Sequence, residues 1–180
     1  MYTLNTGLAT AFPAELWKHT LASLEAFPEP ELPPSRNFSV RLGSQSVDIP
    51  YRIYNSPLLI APDRLTDLEM NLADCLLTRH HNGFVRQPHL GRIIHLRHSW
   101  VPPFVVQLLG EYVIEIIELI NDNLSAIDGP LYRNFIIENR DFLAQTSQRV
   151  SSYRDRYYPD RRREDYVGFK VLRYFKSLAA

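Results

Sequence analysis

Cysteine is almost absent from this 180-residue chain: Cys75 stands alone, so no intramolecular disulfide can form and a disulfide-built secreted scaffold is excluded. The seven glycines do not cluster. They supply no Walker loop, dinucleotide fingerprint or GxSxG elbow, the backbone features on which phosphate binding and serine-hydrolase chemistry rest. The longest apolar stretches are interrupted by Glu111, Glu115 and Glu118, short of the ~20 residues that a membrane span needs. The opening MYTLNTGLATAFPAE lacks the basic start and clean apolar run of a signal peptide. These absences lead to the expectation of a cytoplasmic, soluble protein with no membrane partner. Its length suits one domain, or one domain with an appendage, and a core that needs no covalent staples.

Charge of one sign is also missing overall, with 20 basic and 20 acidic residues, but the two signs are unevenly placed. Arg149 to Lys176 holds nine Lys or Arg against four Asp or Glu, leaving 11 basic and 16 acidic residues in the rest of the chain. An acidic body and a basic tail can satisfy each other or serve separate partners.

The richest segment is Trp100 to Leu124, WVPPFVVQLLGEYVIEIIELINDNL. Read as one helix, it places Gln107, Glu111, Glu115, Glu118 and Asp122 along a single edge, while Phe104, Leu108, Ile116, Ile117 and Ile120 demand burial. Such a rod is expected at the centre of a helical domain. Upstream, Pro13 opens a helix over Ala14 to Phe27 that turns Leu16, Trp17, Leu21 and Leu24 inward, and PEPELPP ends it as an extended spacer. Val40, Leu42, Val47 and Ile49 alternate with Ser39, Arg41, Ser46 and Asp48 about Gly43-Ser44-Gln45, the pattern of a hairpin. A helix is expected from Asp63 to an Asn82-Gly83 stop, then a shorter one opened by Pro88, with Ser99 capping the long rod. Asp128-Gly129-Pro130 leads into a helix bearing Leu131, Phe135, Phe142 and Val150. After a break at Tyr157 to Asp160, a last helix runs from Arg161 to Phe175 despite Gly168, which costs ~1 kcal/mol in a helix interior.

Val85-Arg86 with Leu90, followed by the proline-opened Pro103-Phe104-Val105-Val106-Gln107-Leu108-Leu109, resembles the helix rhythm of HEAT-type repeats over residues 82 to 124. The resemblance implies a curved, helical, protein-binding scaffold. Pro88 and His89 depart from that pattern.

Three constellations carry chemistry. His80, His81, His89, His95 and His98 crowd one window, and two imidazoles on a helical face can share a metal, but HExxH and paired cysteines are missing. Cys75 sits on the apolar face of its helix, where a small core residue is expected rather than a nucleophile. In the tail, Tyr157 and Tyr158 lie among Arg154, Arg156, Arg161, Arg162 and Arg163. Arginine and tyrosine are the residues enriched at binding hot spots, and they also suit phosphates and bases. Asp155, Asp160, Glu164 and Asp165 among them would repel a polyanion. Arg161, Arg162 and Arg163 could instead clasp the acidic edge.

The sequence therefore implies a mainly α protein: a compact multi-helix bundle with HEAT-like local character and a small N-terminal β-hairpin at about 38–54. Residues 1–34 form an N-terminal helix and Pro-rich linker, and 35–180 the helical domain. The expected function is a non-catalytic protein-interaction or regulatory role, such as a bacterial toxin-neutralising or adaptor partner, with no catalytic residue, metal or cofactor. Its partner-binding surface is Arg154, Arg156, Tyr157, Tyr158, Arg161, Arg162 and Arg163. One alternative is a nucleic-acid-binding module using the same segment. Another is a metal-dependent enzyme using His89, His95 and His98.

Overall fold

The computed structural model of the chain describes residues 4–179. It is mainly helical, with eight α-helices and one two-stranded antiparallel hairpin among the described residues, and it divides into two compact units, one ending at Ile93 and the other beginning at Ile94.

In the first unit, the 3-10 turn Leu4–Ala11 precedes a second at Ala14–Leu16, which passes into α1 (Trp17–Glu25). Leu24 is buried as expected, but Trp17 is half exposed, because the 3-10 start turns the first residues away from the α-helical face. The proline segment is not a free spacer. Glu31 N–H donates to the Tyr54 carbonyl at 3.4 Å, and the Asn55 amide donates to the Pro28 carbonyl at 2.8 Å.

The hairpin pairs β1 (Asn37–Leu42) with β2 (Gln45–Pro50). Its two-residue turn starts at Gly43 with φ +62°, a backbone angle that a side chain would strain. Phe38 faces Ile49 and Val40 faces Val47, and all four are buried, so the alternation seen in the sequence is the core face of the hairpin.

The next helix begins later than Asp63, at α2 (Asp67–Leu77), because Thr66 and Glu69 close a capping box ahead of it. Glu69 N–H donates to Thr66 Oγ1 at 3.3 Å, and Thr66 N–H donates to the Glu69 carboxylate at 2.9 Å. Asn82-Gly83 does not end a helix. It starts α3 (Gly83–Ile93), with the Asn82 side chain accepting the Phe84 N–H at 2.9 Å and Pro88 inside the helix.

In the second unit the expected long rod is two helices, α4 (Pro102–Leu108) and α5 (Ile114–Asp122). At the break, a Cβ on Gly110 would come within 3.1 Å of Arg149 Cδ, so the glycine leaves room for that side chain. The break also dissolves the single polar edge: Gln107 and Glu111 are buried, whereas Glu115, Glu118 and Asp122 are exposed. Val101, rather than Ser99, occupies the N-cap of α4. Every residue of α4 is buried, packed against α5, α6 and α7, so the central position expected of the rod belongs to its first half.

The helix expected after Asp128 is also divided, into α6 (Gly129–Glu138) and α7 (Arg140–Tyr157). Asp128 caps α6 by accepting the Leu131 N–H at 3.1 Å. At Asn139 the side-chain amide donates to the Phe135 carbonyl at 2.8 Å, taking an acceptor that a continuing helix would use. The final helix, α8 (Val167–Leu178), starts six residues later than expected and packs against α5, α6 and α7.

Candidate functional site

The segment joining α7 to α8 is the turn in which the arginines and tyrosines meet. Arg154, one turn from the end of α7, donates to the carbonyls of Pro159 and Arg161 and pairs with Asp155 at 3.0 Å. Its guanidinium is thereby committed to the shape of the turn. Tyr158 is similarly occupied: its hydroxyl donates to the Tyr112 carbonyl at 2.8 Å, and its ring lies 5.5 Å from Tyr166. Burial, helped by the nearby Glu115 charge, pushes the Tyr158 phenol above its ordinary value. Tyr166 is fully buried, and burial pushes its phenol up to about 12. Both rings therefore stay protonated at neutral pH and act as architecture.

The clasp between Arg161, Arg162 or Arg163 and the acidic edge is not what the described residues form. Arg161 lies over the Tyr158 ring at 5.6 Å, and Arg163 lies over Phe169 at 4.6 Å while reaching Ser151 Oγ at 3.3 Å. Arg162 pairs with Glu164 at 3.3 Å and Asp165 at 2.9 Å. Close carboxylates on its own turn reach it with less chain ordering than a distant helix would need.

Outside this scaffold stands a trio of aromatic rings. Tyr112, from the turn between α4 and α5, lies 5.4 Å from Tyr157 and 6.2 Å from Tyr153, and the latter two are 5.9 Å apart. Tyr112 is 47% exposed and Tyr157 53%. A continuous rod from Trp100 to Leu124 would carry Tyr112 among its buried apolar residues. The adjacent Gly110 was the available clue that the helix ends there and frees its ring. Arg156 is exposed on the same helix end as Tyr157.

The histidines are dispersed among structural tasks. His80 is buried just beyond α2: Asn82 N–H donates to its Nδ1 at 3.0 Å, so its Nε2 carries the proton donated to the Asn55 carbonyl at 2.9 Å. Burial holds this imidazole below its usual value. His81 stacks on Tyr54, and His98 on Trp100 at 4.8 Å. His89 Nδ1 is 2.6 Å from Asp74, whose same oxygen is 3.1 Å from Arg92. Among the described residues, no three His, Cys, Asp or Glu side chains converge as metal ligands. Burial, reinforced by Asp74, pushes the Cys75 thiol well above its ordinary value, so the nucleophilic thiolate is suppressed. No described helix is long and apolar enough to cross a membrane.

No protein-family model, curated protein or solved structure was found to match the chain.

Proposed function

We propose that the protein acts without catalysis, by binding another protein through Tyr112, Tyr153 and Tyr157 together with Arg156 and the exposed rims of Arg161 and Arg162. The observation that carries this reading is the contacting tyrosine trio, with Tyr112 and Tyr157 exposed and Tyr153 half-buried beside them, held over an already fixed turn. Rings in contact with one another and anchored by the Tyr158 hydrogen bond lose little freedom on docking, so their apolar area is available for affinity. The arginines favour a protein over nucleic acid as the partner. Arg154 is consumed by the turn, Arg162 is already paired with two carboxylates, and Arg161 and Arg163 lie on rings. An adaptor or toxin-neutralising partner is a concrete form of this role, and HEAT-like helical scaffolding would suit it.

The test is affinity purification of the full chain from its source lysate, read by mass spectrometry and by the ratio of absorbance at 260 and 280 nm. Wild type is compared with a Tyr112→Ala, Arg156→Glu, Tyr157→Ala variant. A stoichiometric protein partner lost from the variant is expected. Retention of every partner by the variant, or recovery of nucleic acid in place of protein, would overturn the reading.

A further inference from the structure

A second surface lies along α8, on residues that the tyrosine trio does not use. Arg163, Glu164, Phe169, Leu172, Arg173 and Lys176 line an open groove of about 390 Å³. Phe169 and Leu172 form its apolar floor, and Arg163, Arg173 and Lys176 rim it. Glu164, the acidic lining residue, is already paired with Arg162, which leaves the groove electropositive. Lys170 is exposed one turn before Arg173 on the same helix, beside the groove rather than among its lining residues. Lys170, Arg173 and Lys176 form no ion pair with any described residue. Three cations without an ion pair among the described residues, beside an apolar floor, are a combination that the fold itself does not explain.

We infer that this groove binds an acidic amphipathic helix of a partner protein, whose carboxylates meet Lys170, Arg173 and Lys176 and whose single bulky apolar side chain enters over Leu172. The spacing carries the helical form of the ligand. Cations three residues apart on a helix rise about 4.5 Å per step, and carboxylates three and four residues apart on a second helix rise by about 4.5 to 6 Å. Each three-residue step also turns about 60° around α8, so a helix crossing α8 obliquely meets the cations in turn, with its apolar anchor on the groove side. Single-stranded nucleic acid fits less well, because the Phe169 face on which a base would stack is covered by the Arg163 guanidinium at 4.6 Å. An anionic membrane fits less well too: the exposed residues of this edge are charged, and Leu172 is buried, so no apolar wedge projects into a bilayer.

The proposal goes beyond the tyrosine surface and is tested separately from it, by fluorescence anisotropy with the full chain. The probe is a labelled synthetic helical peptide of about 16 residues with Glu at three- and four-residue spacing and one central Phe on the same edge. Its counterpart with every Glu replaced by Gln, an oligothymidylate and vesicles of mixed phosphatidylserine and phosphatidylcholine are the competitors. The acidic peptide should bind, weaken with added salt, and lose about tenfold or more in affinity with Arg173→Glu, Lys176→Glu, while the Gln peptide fails to bind. Both substituted positions are exposed, and circular dichroism verifies that the variant is folded. Failure of the acidic peptide to bind, equal binding of the Gln peptide, or an unchanged affinity in the variant would overturn the proposal. So would tighter groove-dependent binding of the oligonucleotide or the vesicles. Tyr112→Ala, Tyr157→Ala should leave the peptide affinity unchanged; a loss there would assign the peptide to the tyrosine surface and overturn the groove.

Discussion

The two units place their charges in opposite ways. Up to Ile93, Asp74, Arg79 and Arg86 are buried charged side chains, whereas from Ile94 onward Glu111 is the one buried charged side chain among the described residues. The first unit uses charge inside itself, as when Arg86 Nη1 donates to the carbonyls of His80 at 2.8 Å and His81 at 2.9 Å and so satisfies backbone groups beyond the end of α2. The second unit buries apolar side chains and keeps its arginines, lysines and most of its carboxylates at the surface. Charge that is buried and bonded specifies a fold. Charge that is exposed remains available to a partner.

Substitutions can break or sharpen this contrast. The largest effect is expected from Arg86→Ala, which removes two charge-assisted hydrogen bonds from a buried site and should cost about 3 kcal/mol or more in urea unfolding. By contrast, Arg156→Glu in the second unit should fall within about 0.5 kcal/mol of wild type. Next comes Gly168→Ala. Helix propensity alone favours alanine by about 1 kcal/mol, but a Cβ there would lie 2.6 Å from Tyr166 Cε1 and 3.1 Å from Val150 Cγ1. The clash should win, giving a net loss of about 1 to 2 kcal/mol that a thermal melt would resolve. A stabilised variant would show that the second unit is packed more loosely than its core suggests.

The charge contrast also predicts a pH response. His80 has a lowered value in the folded chain, so its contribution is fully present above the ordinary imidazole value of 6.5 and is lost as pH falls through the lower folded value. Below 6.5 the unfolded chain takes up the proton first. Stability should therefore decline on mild acidification, and His80→Gln should flatten that part of the profile in a series of unfolding curves. An unchanged slope would remove His80 as its source. Two tyrosines give the smallest effects. Tyr158→Phe loses the bond to the Tyr112 carbonyl and should cost about 1 kcal/mol. The buried Tyr166 hydroxyl has no hydrogen-bond partner among the described residues, so Tyr166→Phe should be neutral within about 0.5 kcal/mol or stabilising.

Much of the local architecture was legible in the chain. The period-two alternation gave the hairpin and its buried face, because side chains on a strand alternate whatever they pack against. Tyr157 to Asp160 ended a helix as expected. The continuous rod from Trp100 to Leu124 was not legible, since periodicity records which residues prefer burial and not whether the backbone between them turns. The same limit concealed the break at Asn139, where one side-chain amide outcompetes the helix for a carbonyl.

The candidate surface was legible as composition but not as roles. Arg154 and Tyr158 read like contact residues, yet their nearest acceptors lie within the turn and at Tyr112, and those bonds form when the chain closes. Tyr112 was hidden in an apolar run until the turn after Gly110 exposed it.

The sequence by itself determined a mainly helical chain with one hairpin, a single buried thiol and a basic, tyrosine-rich end, because these follow from residue type and short-range spacing. Only the tertiary structure decided where the long apolar segment breaks, which arginines are spent internally, and that Arg163, Arg173 and Lys176 line a groove with Phe169 and Leu172. Those outcomes depend on side chains far apart in the chain meeting at distances of a few ångströms, which local preference does not encode.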